Sequence, residues 1–234
     1  MYINIDIHLY NIRANLIKFM FVNKVLNKLL LTIVFYLTIG YINLFVTINL
    51  IDTCRYQRTL PDFGFLYLPQ IPTWTANSCL ILSNLYFLIR IISMRNFKEL
   101  YIIYLKLSIL FVFRLTTFTS TFVPPSLPSC LSRNPGEPII WNVLPVLINS
   151  RDNTCLDMMF SGHACHLIIF YLSIHNLSTN ICEKFIYGFF TFASILSIIA
   201  SHLHYTVDVL IAIFLTFFVY SYKLNILQQE HYNI

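Results

Sequence analysis

The sequence predicts an all-α integral membrane protein of six transmembrane helices, with both termini in the cytosol. Three observations carry this. Of the 234 residues, 57% are hydrophobic and only 11% are charged, against about 25% charged in a soluble domain. Apolar runs recur that reach or approach the roughly 20 residues a helix needs to cross the hydrocarbon core. The lysines and arginines flanking these runs have a bias between the two sides of the membrane.

The predicted spans are 26–50, 76–93, 100–122, 160–177, 184–201 and 206–222. They make up one membrane domain, 26–222, between a cytosolic N-terminal segment, 1–25, and a cytosolic tail, 223–234. The first run is the strongest, with no charged residue from Leu29 to Ile51. It has no small-residue cleavage site before it, so it is expected to be a retained helix and not a signal peptide. Arg13, Lys18, Lys24 and Lys28 precede it, and Arg95 and Lys98 follow the second run. Both flanks are therefore assigned to the cytosol. The loops 51–75 and 123–159 fall on the other side, with Arg55, Arg58, Arg133 and Arg151 making the bias modest. The third run contains Lys106 and Arg114. Lys106 is expected to snorkel to the interface. A buried Arg114 calls for a partner or a function.

A net charge of +5 spread along the chain fits membrane flanks. No basic stripe with interleaved aromatics is present, which argues against nucleic-acid binding. Cys54, Cys130 and Cys155 fall in the non-cytosolic loops, where Cys130 and Cys155 are candidates for a bridge. The spacing offers no CxxC or zinc-type pattern. The acceptor triplet Asn176-Leu177-Ser178 lands in the cytosol on this topology and would stay unglycosylated.

Two stretches stand out from the apolar background: Cys155 to His163, and His202-Leu203-His204-Tyr205-Thr206-Val207-Asp208. The topology puts His163 and His204 at the starts of two helices on the same membrane face. His204 and Asp208 are four residues apart, one helical turn, so the carboxylate can orient the imidazole. His163 is then available as general acid or base. Gly162 would let backbone approach a substrate oxygen, and the helix N-terminus there offers N–H groups and a positive dipole end to an anion. Together these make a phosphoryl-transfer site. His166, His175, His202 and His231 are read as hydrogen-bonded structural histidines. A metal site from His163, His166 and His204 is disfavoured, since no further thiolate or carboxylate completes it.

Phe160-Ser161-Gly162-His163 with His204-Tyr205-Thr206-Val207-Asp208 resembles the paired motifs of the sphingomyelin synthase family, a branch of the lipid phosphate phosphatase (PAP2) superfamily. Leu60-Pro61-Asp62 looks like the end of that family's first motif. Arg114 with Thr116 and Thr117 looks like its second. The likeness runs over roughly residues 30–222. Ile198 stands six residues before His204, where the phosphatases carry an arginine. The chain departs from the family at Leu156, Ala164 and Arg58-Thr59, and the paired arginine of the second motif is lacking, with Arg95 the nearest candidate.

The resemblance implies a phosphosphingolipid synthase. His204 would be the nucleophile, Asp208 its orienting partner and His163 the acid/base. Asp157, Ser161, Gly162, Arg114 and Tyr205 would support or bind substrate. The donor would be a glycerophospholipid, with phosphocholine the leading head group and phosphoethanolamine and phosphoinositol the others. Ceramide would accept, in Golgi or plasma membrane, at a site facing lumen or exterior. No metal or cofactor enters this scheme. A lipid phosphatase or phospholipase C-type hydrolase using the same residues, and a non-catalytic membrane protein, are the competing readings.

Overall fold

The computed structural model describes the backbone of residues 3–50, 59–121, 123–126 and 158–222, and the side chains within these from residue 23 onward, apart from 48–50. Cys54, Cys130, Cys155, Asp157, His231 and the tail 223–234 lie outside the described residues, as do the loop arginines.

Among the described residues the chain is all-helical, with seven helices and no strand. They are α1 (Ile3–Leu50), α2 (Phe63–Tyr67), α3 (Thr73–Ser93), α4 (Phe97–Ser120), α5 (Gly162–Leu177), α6 (Ile181–Ala200) and α7 (Thr206–Ser221). Among the described residues four segments are long and apolar enough to cross a membrane: Asn23–Thr47 within α1, and the whole of α3, α4 and α6. α5 and α7 have 16 residues each, about 24 Å of helix against a hydrocarbon core of about 30 Å.

Hydropathy placed several starts too late. α3, α4 and α6 each begin three residues before the predicted run, because their first turns are polar and the caps set the boundary. Asn96 accepts from the Glu99 N–H, and Asn180 from those of Cys182 and Glu183. α3 starts on Pro72, whose ring fixes φ as a helix start requires. The short α2 lies inside what sequence alone treats as a loop. Its cap is Asp62, which accepts from the N–H groups of Gly64 and Phe65.

α5 is the central helix. It packs against α3, α4, α6 and α7 and buries ten of its sixteen residues, which explains why a short helix can sit here. Phe170 of α5 stacks on Phe87 of α3, centroids 4.4 Å apart, with Leu107, Leu110, Leu167 and Ile198 also fully buried. α1 lies along α4, joined by Asn43 Nδ2 donating to the Phe111 carbonyl at 3.1 Å. The outer faces are apolar: Leu31, Phe185 and Phe214 are each at least 70% exposed. Such a surface suits hydrocarbon and not water.

One end of the bundle collects the N-terminal ends of α3, α5 and α7 with the C-terminal ends of α4 and α6. The opposite end is tied by ionic and polar contacts. Arg90 of α3 grips Glu183 of α6 with two hydrogen bonds, at 2.6 and 3.0 Å. Lys106 does not snorkel to water. Its ammonium donates to the Tyr220 carbonyl at 2.6 Å and lies over the Tyr220 ring. It thus satisfies a carbonyl of the last turn of α7, which the helix itself leaves without a donor.

Candidate active site

The first end of the bundle is built outward from Asp208. This residue stands in the first turn of α7 and is fully buried. Its Oδ1 accepts from the Met159 N–H at 2.8 Å and its Oδ2 from the Tyr205 N–H at 3.1 Å. Met159 adopts a left-handed conformation, φ 77°, which costs a non-glycine residue about 1 kcal/mol or more. The turn before α5 is thus bent so that its N–H reaches the carboxylate. The Ser161 N–H also donates to the Asp208 carbonyl, at 3.3 Å. Two sequence-distant stretches are locked together at this one residue.

His204 precedes α7 by two residues and is 3% exposed. Its Nδ1 lies 3.5 Å from Asp208 Oδ2, without hydrogen-bond alignment, and finds no other partner among the described residues. Catalytic hydrogen bonds are often long in the absence of substrate and tighten when it binds. The arrangement turns Nδ1 to the carboxylate and leaves Nε2 for chemistry.

His163, the second residue of α5, faces His204 with ring centroids 6.2 Å apart. Its Nε2 is 2.9 Å from Asn77 Oδ1 on α3. A carbonyl oxygen only accepts, so Nε2 carries a proton and Nδ1 is the nitrogen left to gain or lose one. Sequence reasoning missed Asn77. The available signal was an amide in the first turn of an apolar helix that the topology starts at the same membrane face.

Ser161 serves as the N-cap of α5. Its hydroxyl accepts from the Ala164 N–H at 3.2 Å, a contribution of about 1 kcal/mol. The first-turn N–H groups of Gly162 and His163 head a helix that cannot satisfy them itself. Arg114, two turns from the end of α4, is buried beneath them. Its Nε donates to the Phe160 carbonyl at 3.2 Å. A methyl group on Gly162 would meet the guanidinium at 3.6 Å, an ordinary contact, so what lies against Gly162 is Arg114. Arg114 also flanks the rings of Phe111 and Phe118.

Tyr205 and Asp62 brace the site from outside. The Tyr205 hydroxyl accepts from the Leu60 N–H at 3.0 Å and donates toward the Pro124 and Pro125 carbonyls. Burial pushes this phenol's pKa up, which keeps it a donor. Asp62 accepts from Thr206, residue for residue next to Tyr205. His202 turns away from the pair and stacks on Phe65, centroids 4.0 Å apart. His166 is structural: Nδ1 is 2.7 Å from the Gly162 carbonyl and Nε2 is 2.6 Å from the Tyr36 hydroxyl. Among the described residues no group of three His, Cys, Asp or Glu side chains is arranged to hold a metal ion.

Residues 154–226 match the family model described as PAP2 superfamily C-terminal. This stretch contains α5, α6 and α7, and with them His163, His204 and Asp208. Asp62, Asn77 and Arg114 lie outside it. No curated protein matches the chain. Members of the PAP2 superfamily are phosphoryl-group hydrolases and transferases, so the matched stretch suggests lipid phosphatase or phosphotransferase-type activity. The long apolar helices are compatible with an integral membrane protein.

Proposed function

We propose that this chain is a membrane phosphosphingolipid synthase, moving a phospho-head group from a glycerophospholipid to the primary hydroxyl of ceramide. The observation that carries the reading is the pairing of His163 with His204 over a carboxylate buried at Asp208. The membrane is crossed six times, with α5 and α7 as the two short passes and both chain ends in the cytosol. The site then faces the lumen or the exterior, in Golgi or plasma membrane.

In the first half-reaction His204 Nε2 attacks the donor phosphorus. The bond to the glycerol oxygen breaks, and diacylglycerol leaves with a proton from His163. The phosphohistidine that remains is stabilised by Asp208, which faces the Nδ1 proton of the charged ring. In the second half-reaction His163 takes the proton of the ceramide hydroxyl. The oxygen attacks phosphorus, and the bond to His204 breaks. Asn77 holds Nε2 of His163, so Nδ1 is the nitrogen left to exchange the proton. Arg114 and the first-turn N–H groups of α5 offset the phosphate charge. Asp157 supports His163 or the incoming alcohol.

Water and ceramide compete for one intermediate. A nearly solvent-free nucleophile, His204 at 3% exposure, favours the lipid alcohol. The test is a transfer assay with purified protein, labelled ceramide, and phosphatidylcholine, phosphatidylethanolamine or phosphatidylinositol as separate donors. A labelled phosphosphingolipid that His204→Ala fails to make is the expected result. Diacylglycerol release without a ceramide product would replace the synthase with a hydrolase. No turnover of any donor by folded protein would sink the enzymatic reading.

A further inference from the structure

α6 and α7 both pack on α5 but scarcely on each other. Their divergence opens a groove of about 410 Å³ on the outside of the bundle, floored by α5. Its wall is almost wholly apolar, with Tyr171, Ile195 and Phe217 among the lining residues. The volume falls in the range of small-molecule sites. The groove opens at the end of the bundle away from His163 and His204 and runs past its middle: its α6 wall extends from Lys184 in the first turn to Ile195, and α6 runs toward the catalytic end.

Two polar features break the apolar lining. Lys184 stands at the outer end, in the first turn of α6, and its ammonium makes no hydrogen bond or ion pair among the described residues. Its sequence neighbour Glu183 is already taken by Arg90. Further in, Thr191 lines the groove, and its hydroxyl is buried without a partner among the described residues. Thr216 and Ser194, also buried in their helices, donate to the carbonyl four residues back, which makes Thr191 an exception.

We propose that this groove holds an anionic glycerophospholipid, with its phosphate on Lys184 and an acyl chain along the crevice. The length fits. From Lys184 to Ile195 is eleven residues, about 16 Å of helix rise, or about half of the ~30 Å hydrocarbon core. A lipid seated there enters from the leaflet opposite the catalytic end. Side chains on a helix lean toward its N-terminus, so Thr191 leans toward the Lys184 end of the groove. The charge at the rim selects an anion, and the depth selects a chain. The proposal rests on the chain being in a membrane and not on the chemistry of His204.

The test is thermal unfolding of the full chain in neutral detergent during titration with phosphatidylglycerol or, separately, phosphatidylcholine. Phosphatidylglycerol is expected to raise the unfolding temperature at lower concentration than phosphatidylcholine. Lys184→Gln should need about fivefold more phosphatidylglycerol for the same shift, with no change in its phosphatidylcholine curve. Ile195→Trp, which fills the groove, should blunt both titrations. Lys98→Gln, a charge loss at the same end but off the groove, should titrate as the unaltered protein does. Equal response to the two lipids, an unchanged Lys184→Gln curve, or an equal loss in Lys98→Gln would overturn the proposal.

Discussion

Asp62 and Thr206 are joined by two hydrogen bonds: the Thr206 N–H reaches Oδ2 at 2.9 Å, and its hydroxyl reaches Oδ1 at 2.6 Å. The same carboxylate caps α2. A residue 144 positions away in sequence thus pins the start of α7, and the histidine two residues before Thr206 inherits that placement. Asp62→Ala should cost about 2–3 kcal/mol through the lost cap and charge-assisted bonds. Thr206→Val, which loses only the hydroxyl, should cost about 1 kcal/mol. Thermal unfolding of the two single variants and the double should show the double losing less than the sum. Strict additivity would mean that the two residues act independently.

Close backbone approach makes a second expectation. A Cβ on Gly64 would lie 2.2 Å from Ile199 Cγ2 and 2.5 Å from Thr206 Oγ1. Gly64→Ala must therefore push α2 off the ends of α6 and α7, at a cost of about 1–3 kcal/mol. Gly40 in α1 has open space at the same position. Gly40→Ala should be neutral or stabilising by about 0.5–1 kcal/mol, since alanine holds a helix better than glycine. Unfolding temperatures that fall equally in both variants would refute this contrast.

The catalytic assignment separates by residue. His204→Ala should abolish formation of a covalent phosphoenzyme. His163→Ala should slow turnover by about 10²–10⁴-fold, the range for loss of an acid/base, while some phosphoenzyme still accumulates. Asp208→Asn should lower turnover by about 10⁴-fold, since an amide cannot accept both backbone bonds and orient His204. Labelling with radiolabelled head group, quenched in alkaline detergent because the N–P bond is acid-labile, reads the phosphoenzyme, and a turnover assay reads the rates. Equal phosphoenzyme in His204→Ala and unaltered protein would move the nucleophile elsewhere.

Much of the geometry of the candidate site was legible in the sequence because its residues lie in short stretches. His204 and Asp208 are four residues apart, and a helix start puts them together whatever surrounds them. The meeting of His163 with His204 needed only the parity of the predicted spans. Contacts between stretches were not legible. Nothing local to Met159 says that its N–H will end on Asp208, or that φ will turn positive to allow it. The helix starts were read late for the same reason: hydropathy sees the apolar middle of α3, α4 and α6, while Pro72, Asn96 and Asn180 decide where each begins. Lys106 was misread because the carbonyl that receives it lies 114 residues away, on α7.

His202 offers a pH-dependent readout outside the spans. It sits between α6 and α7 at φ 56°, stacked on Phe65, with Nε2 enclosed and without a hydrogen-bond partner among the described residues. Burial holds its pKa below the ordinary 6.5, against an opposing pull from Asp62. The folded state therefore binds this proton less readily than the unfolded chain does. Its contribution is intact above pH 6.5 and is lost as pH falls below that value, where the unfolded ring charges first. His202→Gln should flatten the decline in unfolding temperature below pH 6.5 relative to unaltered protein. Parallel declines in the two proteins would remove His202 from the pH response.

Asn77 is the last expectation, and it separates positioning from packing. Its carbonyl oxygen holds Nε2 of His163 at 2.9 Å and so leaves Nδ1 for the proton transfer proposed above. Asn77→Leu keeps the volume and removes the acceptor. The imidazole can then rotate and change tautomer, and a catalytic group displaced by about 1 Å loses about 10²-fold in rate. The loss should fall on kcat, with KM nearly unchanged, because in the proposed mechanism Asn77 grips the acid/base and not the lipid. A variant that instead raises KM with kcat intact would make Asn77 a substrate contact. One that merely unfolds at lower temperature, with full activity below that temperature, would make it packing alone.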